Sequence, residues 1–147
     1  MCIEVRKNCR CGKKEVRFHL RDNIMSREVV TGLYCPGCSE NLEVDAGNML
    51  RDREWIIEYD MEMARFLAAA KLNMSPDAVT PAFLFDGGYA TWLEMYPGEK
   101  EDFLTERQDI MALAKTDPKK YLEKINSWNI ARVERLKAEG WRKAQSS

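Results

Sequence analysis

Five cysteines occur in the 147 residues, and none lies beyond position 38. Four form two close pairs, Cys9-Arg10-Cys11 and Cys35-Pro36-Gly37-Cys38, with twenty-three residues between the pairs; Cys2 stands apart. Thiolates are soft anionic donors, and a tetrahedral divalent cation takes four of them at about 2.3 Å, delivered in pairs by two tight turns. Met1–Lys7 holds no apolar run of the kind that directs secretion, so a reducing, cytoplasmic setting is expected. In that setting paired cysteines point to metal rather than to disulfides. Pro36 fixes φ and Gly37 permits a tight or left-handed turn, while Gly12 can close the turn after Cys11 in a left-handed conformation. Cys9, Cys11, Cys35 and Cys38 are therefore the candidate ligands of one structural Zn2+ ion. Four protein ligands leave no position for water or substrate, so such a site braces a fold rather than catalysing a reaction. Redox iron, or redox-active thiols, are the alternatives for the same sulfurs.

The two pairs resemble the cysteine knuckles of zinc-ribbon domains, and Cys35-Pro36-Gly37-Cys38 is the specific part of the likeness. It covers residues 1–45. The first knuckle is C-x-C rather than C-x-x-C, and Ser39 stands where the family often has glycine. The resemblance implies short antiparallel strands with a knuckle at their ends. A ribbon of this size cannot bury enough apolar surface alone, so the metal would supply its folding free energy. The narrow first knuckle departs further from rubredoxin-type iron sites than from zinc sites. An iron electron carrier is the second alternative for function.

The elements that must position these cysteines can be read from periodicity. Strands are expected near Ile3–Val5, Glu15–Leu20 and Val29–Tyr34, with a turn at Asp22-Asn23. Alternation puts Val16, Phe18 and Leu20 on one face and Arg17 and His19, the single histidine, on the solvent face. Asp45-Ala46-Gly47-Asn48 reads as a turn and residues 54–59 as a strand that pairs with the ribbon, followed by Asp60 as a helix N-cap. From Met61 the period becomes helical: Met63, Phe66, Leu67 and Ala70 share one face, with Glu62 and Arg65 opposite, and the helix ends near Asn73. Thr80-Pro81 is an N-cap and N1 pair, Gly87-Gly88 a turn, and Tyr89, Trp92, Leu93 and Tyr96 repeat the helical spacing up to Pro97-Gly98. Glu99–Lys115 is a third helix with Phe103, Ile110 and Ala114 along one side. Asp117-Pro118 opens a fourth that stops at Gly140. On it Tyr121, Leu122, Ile125, Trp128, Val133 and Leu136 fall within roughly 140° of arc. The last two helices are expected to pack as a hairpin. The fold class is thus α+β: a small antiparallel zinc ribbon over residues 1–47, followed by a mainly helical region over 48–147 with a long helical hairpin.

Composition narrows the function. Lys+Arg 23 against Asp+Glu 24 gives a net charge of −1, which offers no bulk attraction to nucleic acid. Residues 1–40 carry +3, but four thiolates with Zn2+ sum to −2 and bring the ribbon to about +1. No aromatic residue interleaves with Arg6–Lys14 to stack bases. With one histidine and a closed metal site, no catalytic constellation is in view, and an enzyme is not expected. A regulatory or adaptor protein that binds another protein, or itself through the C-terminal helices, is the expected class. A nucleic-acid-binding regulator is the alternative. Trp141, beyond the helix stop, is the candidate exposed anchor, and Cys2 reads as an incidental small apolar residue.

Overall fold

The computed structural model describes residues 3–97 and 99–145, so Cys2 lies outside the described residues, as does the side chain of Phe103. The class is α+β. The chain divides into two compact units, Met1–Leu93 and Glu94–Ser147.

The first unit holds two three-stranded antiparallel sheets. One has the order β1 (Ile3–Asn8), β2 (Glu15–Leu20), β6 (Thr91–Trp92); the other β3 (Val30–Tyr34), β5 (Trp55–Tyr59), β4 (Met49–Asp52). The alternation of β2 puts Val16, Phe18 and Leu20 inside, where they meet Val5 of β1. β5 is buried at Trp55, Ile56, Ile57 and Tyr59 because strands flank it on both sides. The two sheets meet on Trp92. Its ring lies 5.2 Å from Phe18, 6.0 Å from Trp55 and 5.8 Å from Phe85, and its indole N–H donates to Asp52 Oδ2 at 2.8 Å. The Tyr59 hydroxyl donates to Ala90 O at 2.7 Å, which ties the segment before β6 to β5.

Three short helices complete this unit: α1 (Pro36–Ser39), α2 (Met61–Leu72) and α3 (Pro81–Asp86). Asp60 caps α2, its Oδ1 accepting from the Met63 N–H at 3.0 Å, and Thr80 caps α3 through the Phe83 N–H at 3.1 Å, with Pro81 following as N1. Asn73 ends α2 in the left-handed region at φ 54. Asp60→Ala removes a cap and should lower the stability of this unit by about 1 kcal/mol in urea denaturation, with the m-value unchanged.

The second unit is a hairpin of α4 (Glu99–Thr116) and α5 (Pro118–Glu139), closed by α6 (Arg142–Gln145). Asp117 accepts from the Lys120 N–H at 3.1 Å and caps α5, and Gly140, at φ +91, ends it. Arg132 pairs with Glu99 and Arg135 with Glu106 at 2.7 Å, both across the hairpin. Tyr96 stacks on Trp141 at 5.1 Å and donates to Asp102 Oδ2 at 2.6 Å. Burial, then the Asp102 carboxylate, push the Tyr96 hydroxyl well above its ordinary pKa, so it stays protonated as a donor.

Several expectations need correction. Tyr89, Trp92, Leu93 and Tyr96 do not form a helix: Thr91–Trp92 is a strand whose Trp92 pairs with Phe18, and the buried aromatic cluster outweighs the local spacing. The face of α2 formed by Met63, Phe66, Leu67 and Ala70 is not the buried one. Met61, Ala64 and Ala68 are buried, because small side chains let the helix approach closely, and Phe66 is 71% exposed. Trp141 is not an exposed anchor; it is 8% exposed beneath Tyr96. Strand β4 had no expectation attached to it, and the ribbon strands split between two sheets. The change of character read at residue 47/48 and the division into compact units after Leu93 fall at different places, because β4, β5 and β6 extend the sheets.

Candidate metal centre

Each knuckle forms where a strand ends. The first follows β1. Its Cys9 N–H donates to Lys14 O at 2.8 Å and the Gly12 N–H to Cys9 O at 2.8 Å, and Gly12 takes φ +75, the left-handed conformation that glycine adopts at little cost. The second follows β3, with Pro36 as the first residue of α1. The N–H groups of Cys38 and Ser39 both donate to Cys35 O at 2.9 Å. Gly37 is in an ordinary right-handed turn rather than a left-handed one.

These turns bring all four sulfurs within 4.8 Å of one another. Cys9 Sγ lies 3.4 Å from Cys38 Sγ and 3.5 Å from Cys11 Sγ, and Cys11 Sγ lies 3.9 Å from Cys35 Sγ. A tetrahedron with metal–sulfur bonds of about 2.3 Å has edges of about 3.8 Å. A disulfide would need about 2.05 Å, so the separations match ligands around one cation and not covalent bridges. Cys9 and Cys35 are buried, Cys38 half-buried and Cys11 exposed. Among the described residues, no other group of three or more His, Cys, Asp or Glu side chains is arranged to hold a metal ion, and His19 is outside this one.

The charge balance asks for a cation. Burial raises the Cys35 thiol, but the Cys38 backbone N–H and the neighbouring sulfurs outweigh it and hold Cys35 at about 6. The Lys13 backbone N–H, and then Cys9, lower Cys11. Cys38 is pushed up to about 12, first by the Cys9 sulfur and then by burial. Four sulfurs this close cannot all carry charge without a counter-ion, and a divalent cation can take the place of the proton that the Cys9 hydrogen bond and burial keep on Cys38. The donor set thus fits a thiophilic ion.

Contacts outside the tetrad hold its halves together. The Cys35 N–H donates to Cys9 Sγ at 3.1 Å, linking the knuckles through a sulfur of the cluster. The Arg10 N–H donates to Leu33 O at 3.0 Å, tying the first knuckle to β3. Ser39 is buried and its hydroxyl donates to Glu54 O at 2.5 Å, fastening the second knuckle to the turn between β4 and β5. Spacing could not reveal Leu33 or Glu54, since both act through main-chain carbonyls. The departure from glycine at Ser39 was the one signal in that region.

Four of the eight basic residues in 1–40 have partners close by. Arg6 pairs with Glu15 at 3.8 Å and Arg17 with Glu4 at 3.6 Å, while Lys14 sits 5.7 Å over the Trp55 ring and Arg21 5.3 Å over Tyr89. Among the described residues, no helix is long and apolar enough to cross a membrane.

No protein-family model, characterised protein or solved structure matches the chain. What the fold and the site define is an α+β chain with a zinc-ribbon-like cluster of four cysteines that could hold a metal ion.

Proposed function

We propose that Cys9, Cys11, Cys35 and Cys38 bind one Zn2+ as a structural ion, and that the chain is a small cytoplasmic regulatory or adaptor protein that works by binding another protein. The mutual approach of the four sulfurs within 4.8 Å carries the metal reading. A closed set of four thiolates supports a bracing role, because it leaves no coordination position for a substrate, and we read the chain as non-enzymatic on that ground. The ion would clasp the end of β1 to the end of β3 and so join the two sheets at one point.

The adaptor reading is supported by apolar side chains in the open on helices: Phe66 on α2, Leu104 and Met111 on α4, Leu122 and Ile130 on α5. The nucleic-acid alternative finds less support, because Arg6 and Arg17 already face carboxylates on the outer strand surface.

Metal analysis of protein purified without added metal tests the first half. One zinc per chain and a colourless solution are expected, with zinc lost in Cys35→Ser. A red protein with iron bound would favour the rubredoxin-like alternative, and a metal-free folded chain would defeat both. Affinity capture with the metal-loaded chain tests the second half: retention of a protein partner that survives nuclease treatment supports it. Recovery of nucleic acid alone, with binding that weakens steeply in salt, would replace it.

A further inference from the structure

A sulfur must be reached before it can be oxidised, so exposure ranks the four cysteines of the cluster. Cys9 is 3% exposed and Cys35 5%, and Cys38 is half-buried. Of the four, only Cys11 lies in the open. It stands on the turn that the Gly12 N–H closes onto Cys9 O at 2.8 Å, and Arg10, Gly12, Lys13 and Lys14 around it are exposed as well. A Cβ added at Gly12 would meet nothing within 4 Å, so solvent reaches this turn freely. The narrow C-x-C knuckle thus joins the most exposed sulfur of the cluster to the most buried one in a single turn.

We propose that Cys11 is a site of oxidative modification, where a hydroperoxide drives a disulfide with Cys9 and so dismantles the metal centre. This rests on the reading of the four sulfurs as ligands of one zinc ion. The Cys11 thiolate attacks a peroxide oxygen, the O–O bond breaks, and hydroxide leaves with the electron pair; Cys11 is then a sulfenic acid. Cys9 Sγ lies 3.5 Å from Cys11 Sγ, against 3.9 Å for Cys35 Sγ. The Cys9 thiolate attacks Cys11 Sγ, the S–O bond breaks, and a second hydroxide leaves. The two thiolates have together lost two electrons, and the peroxide has gained them. Closing 3.5 Å to a disulfide length of about 2.05 Å needs a shift of about 1.5 Å at the open end of a turn. Cys9 and Cys38 are as near, at 3.4 Å, but neither is as open to solvent as Cys11, so that pair starts more slowly.

The position of the new bond decides its consequence. Cys35 and Cys38 alone remain for the ion, and a structural zinc site holds four ligands. The bond from the Cys35 N–H to Cys9 Sγ weakens too, because a disulfide sulfur carries no charge to accept it. A disulfide inside the first knuckle does not replace the clasp between the end of β1 and the end of β3. Oxidation therefore opens the join between the sheets, where a disulfide between the knuckles would lock it.

Hydrogen peroxide added to the full, zinc-loaded chain tests this. Zinc released to a colorimetric indicator should rise as the Cys9–Cys11 bond forms, and dithiothreitol with fresh zinc should reverse both. With stoichiometric peroxide, alkylation of the remaining thiols and cleavage after glutamate leave both cysteines on the peptide Val5–Glu15. Mass spectrometry at early times should find the bond there, with Cys35 and Cys38 alkylated. Cys11→His keeps a nitrogen ligand for zinc and removes the thiol, so it should slow release at least ~10-fold. Cys38→His, at the half-buried position of the other knuckle, should release zinc at close to the wild-type rate. Equal slowing in the two variants, zinc retained in excess peroxide, or a first bond between any other two of the four sulfurs would overturn the proposal and leave the metal reading standing. A chain that carries no zinc before peroxide is added refutes the metal reading. In that case, or if a histidine variant does not load zinc, the bond mapped in the wild type decides: Cys9–Cys11 supports the modification, and any other pair overturns it.

Discussion

Chelation of the metal, or Cys35→Ser, should unfold Met1–Leu93 while much of the helix signal of α4 and α5 persists. The sulfurs of this unit come from the ends of β1 and β3, which lie in different sheets, and direct hydrogen bonds across that gap include Arg10 N–H to Leu33 O and Cys35 N–H to Cys9 Sγ. Structural zinc contributes on the order of 10 kcal/mol of apparent binding free energy at pH 7, and a domain is stable by only about 5–15 kcal/mol in all. Losing the first term therefore spends most or all of the second. Tryptophan fluorescence should report the loss through Trp55 and Trp92, both buried in this unit. The helical hairpin has its own contacts around Leu136, Tyr96 and Trp141, so far-ultraviolet dichroism should fall only in part. Unchanged tryptophan emission after chelation would refute the bracing role. Complete loss of helix would show one cooperative unit in place of two.

Acid should act in the same direction. Cys35 is held at about 6, below an ordinary thiol, so its thiolate is present above that pH and is lost as pH falls through it. Protons then compete with the cation for the same sulfur, so metal affinity should fall as pH is lowered. A titration with a colorimetric zinc indicator would follow the release.

Trp92→Ala should have the next largest effect. The indole is fully buried, packs against Phe18 of one sheet and Trp55 of the other, and donates to Asp52 at 2.8 Å. Truncating a buried tryptophan costs about 3–5 kcal/mol, through lost burial and the cavity left behind. For a unit of this size that lowers Tm by roughly 12 °C or more. Trp92→Phe keeps much of the ring contact and loses the N–H donor, so it should fall between wild type and Trp92→Ala. Thermal denaturation of the metal-loaded protein checks the order. A Trp92→Ala variant within about 1 kcal/mol of wild type would show that the two sheets are not joined through this residue.

Local chemistry carried much of the architecture. Strand Glu15–Leu20, strand Trp55–Tyr59, the caps Asp60, Thr80 and Asp117, and the stop at Gly140 are all where residue type and spacing place them. These features depend on a handful of neighbouring residues: alternation in a strand, a side-chain acceptor before a helix, a glycine with positive φ after it. The pairing of Cys9-Arg10-Cys11 with Cys35-Pro36-Gly37-Cys38 was legible for the same reason. Each half is a short turn with its own composition, and only their meeting is long-range.

What a segment lies against is a different matter, because packing is decided by partners far along the chain. Trp92 and Leu93 keep a helical spacing with Tyr89 and Tyr96, yet Trp92 is drawn into a strand by Phe18, seventy-four residues earlier, and by Asp52. α2 has a row of large apolar side chains, yet it turns Ala64 and Ala68 inward, since close approach to neighbouring segments such as the turns at Arg27–Val29 and Pro76–Ala78 rewards small residues over bulky ones. Trp141 lies beyond the helix stop, and only the fold-back of α6 shows that it is covered by Tyr96. Residue identity thus determined the candidate ligands, the caps and most of the elements of this protein. The tertiary structure alone decided which faces are buried, because burial is a property of two surfaces and the chain shows only one of them at a time.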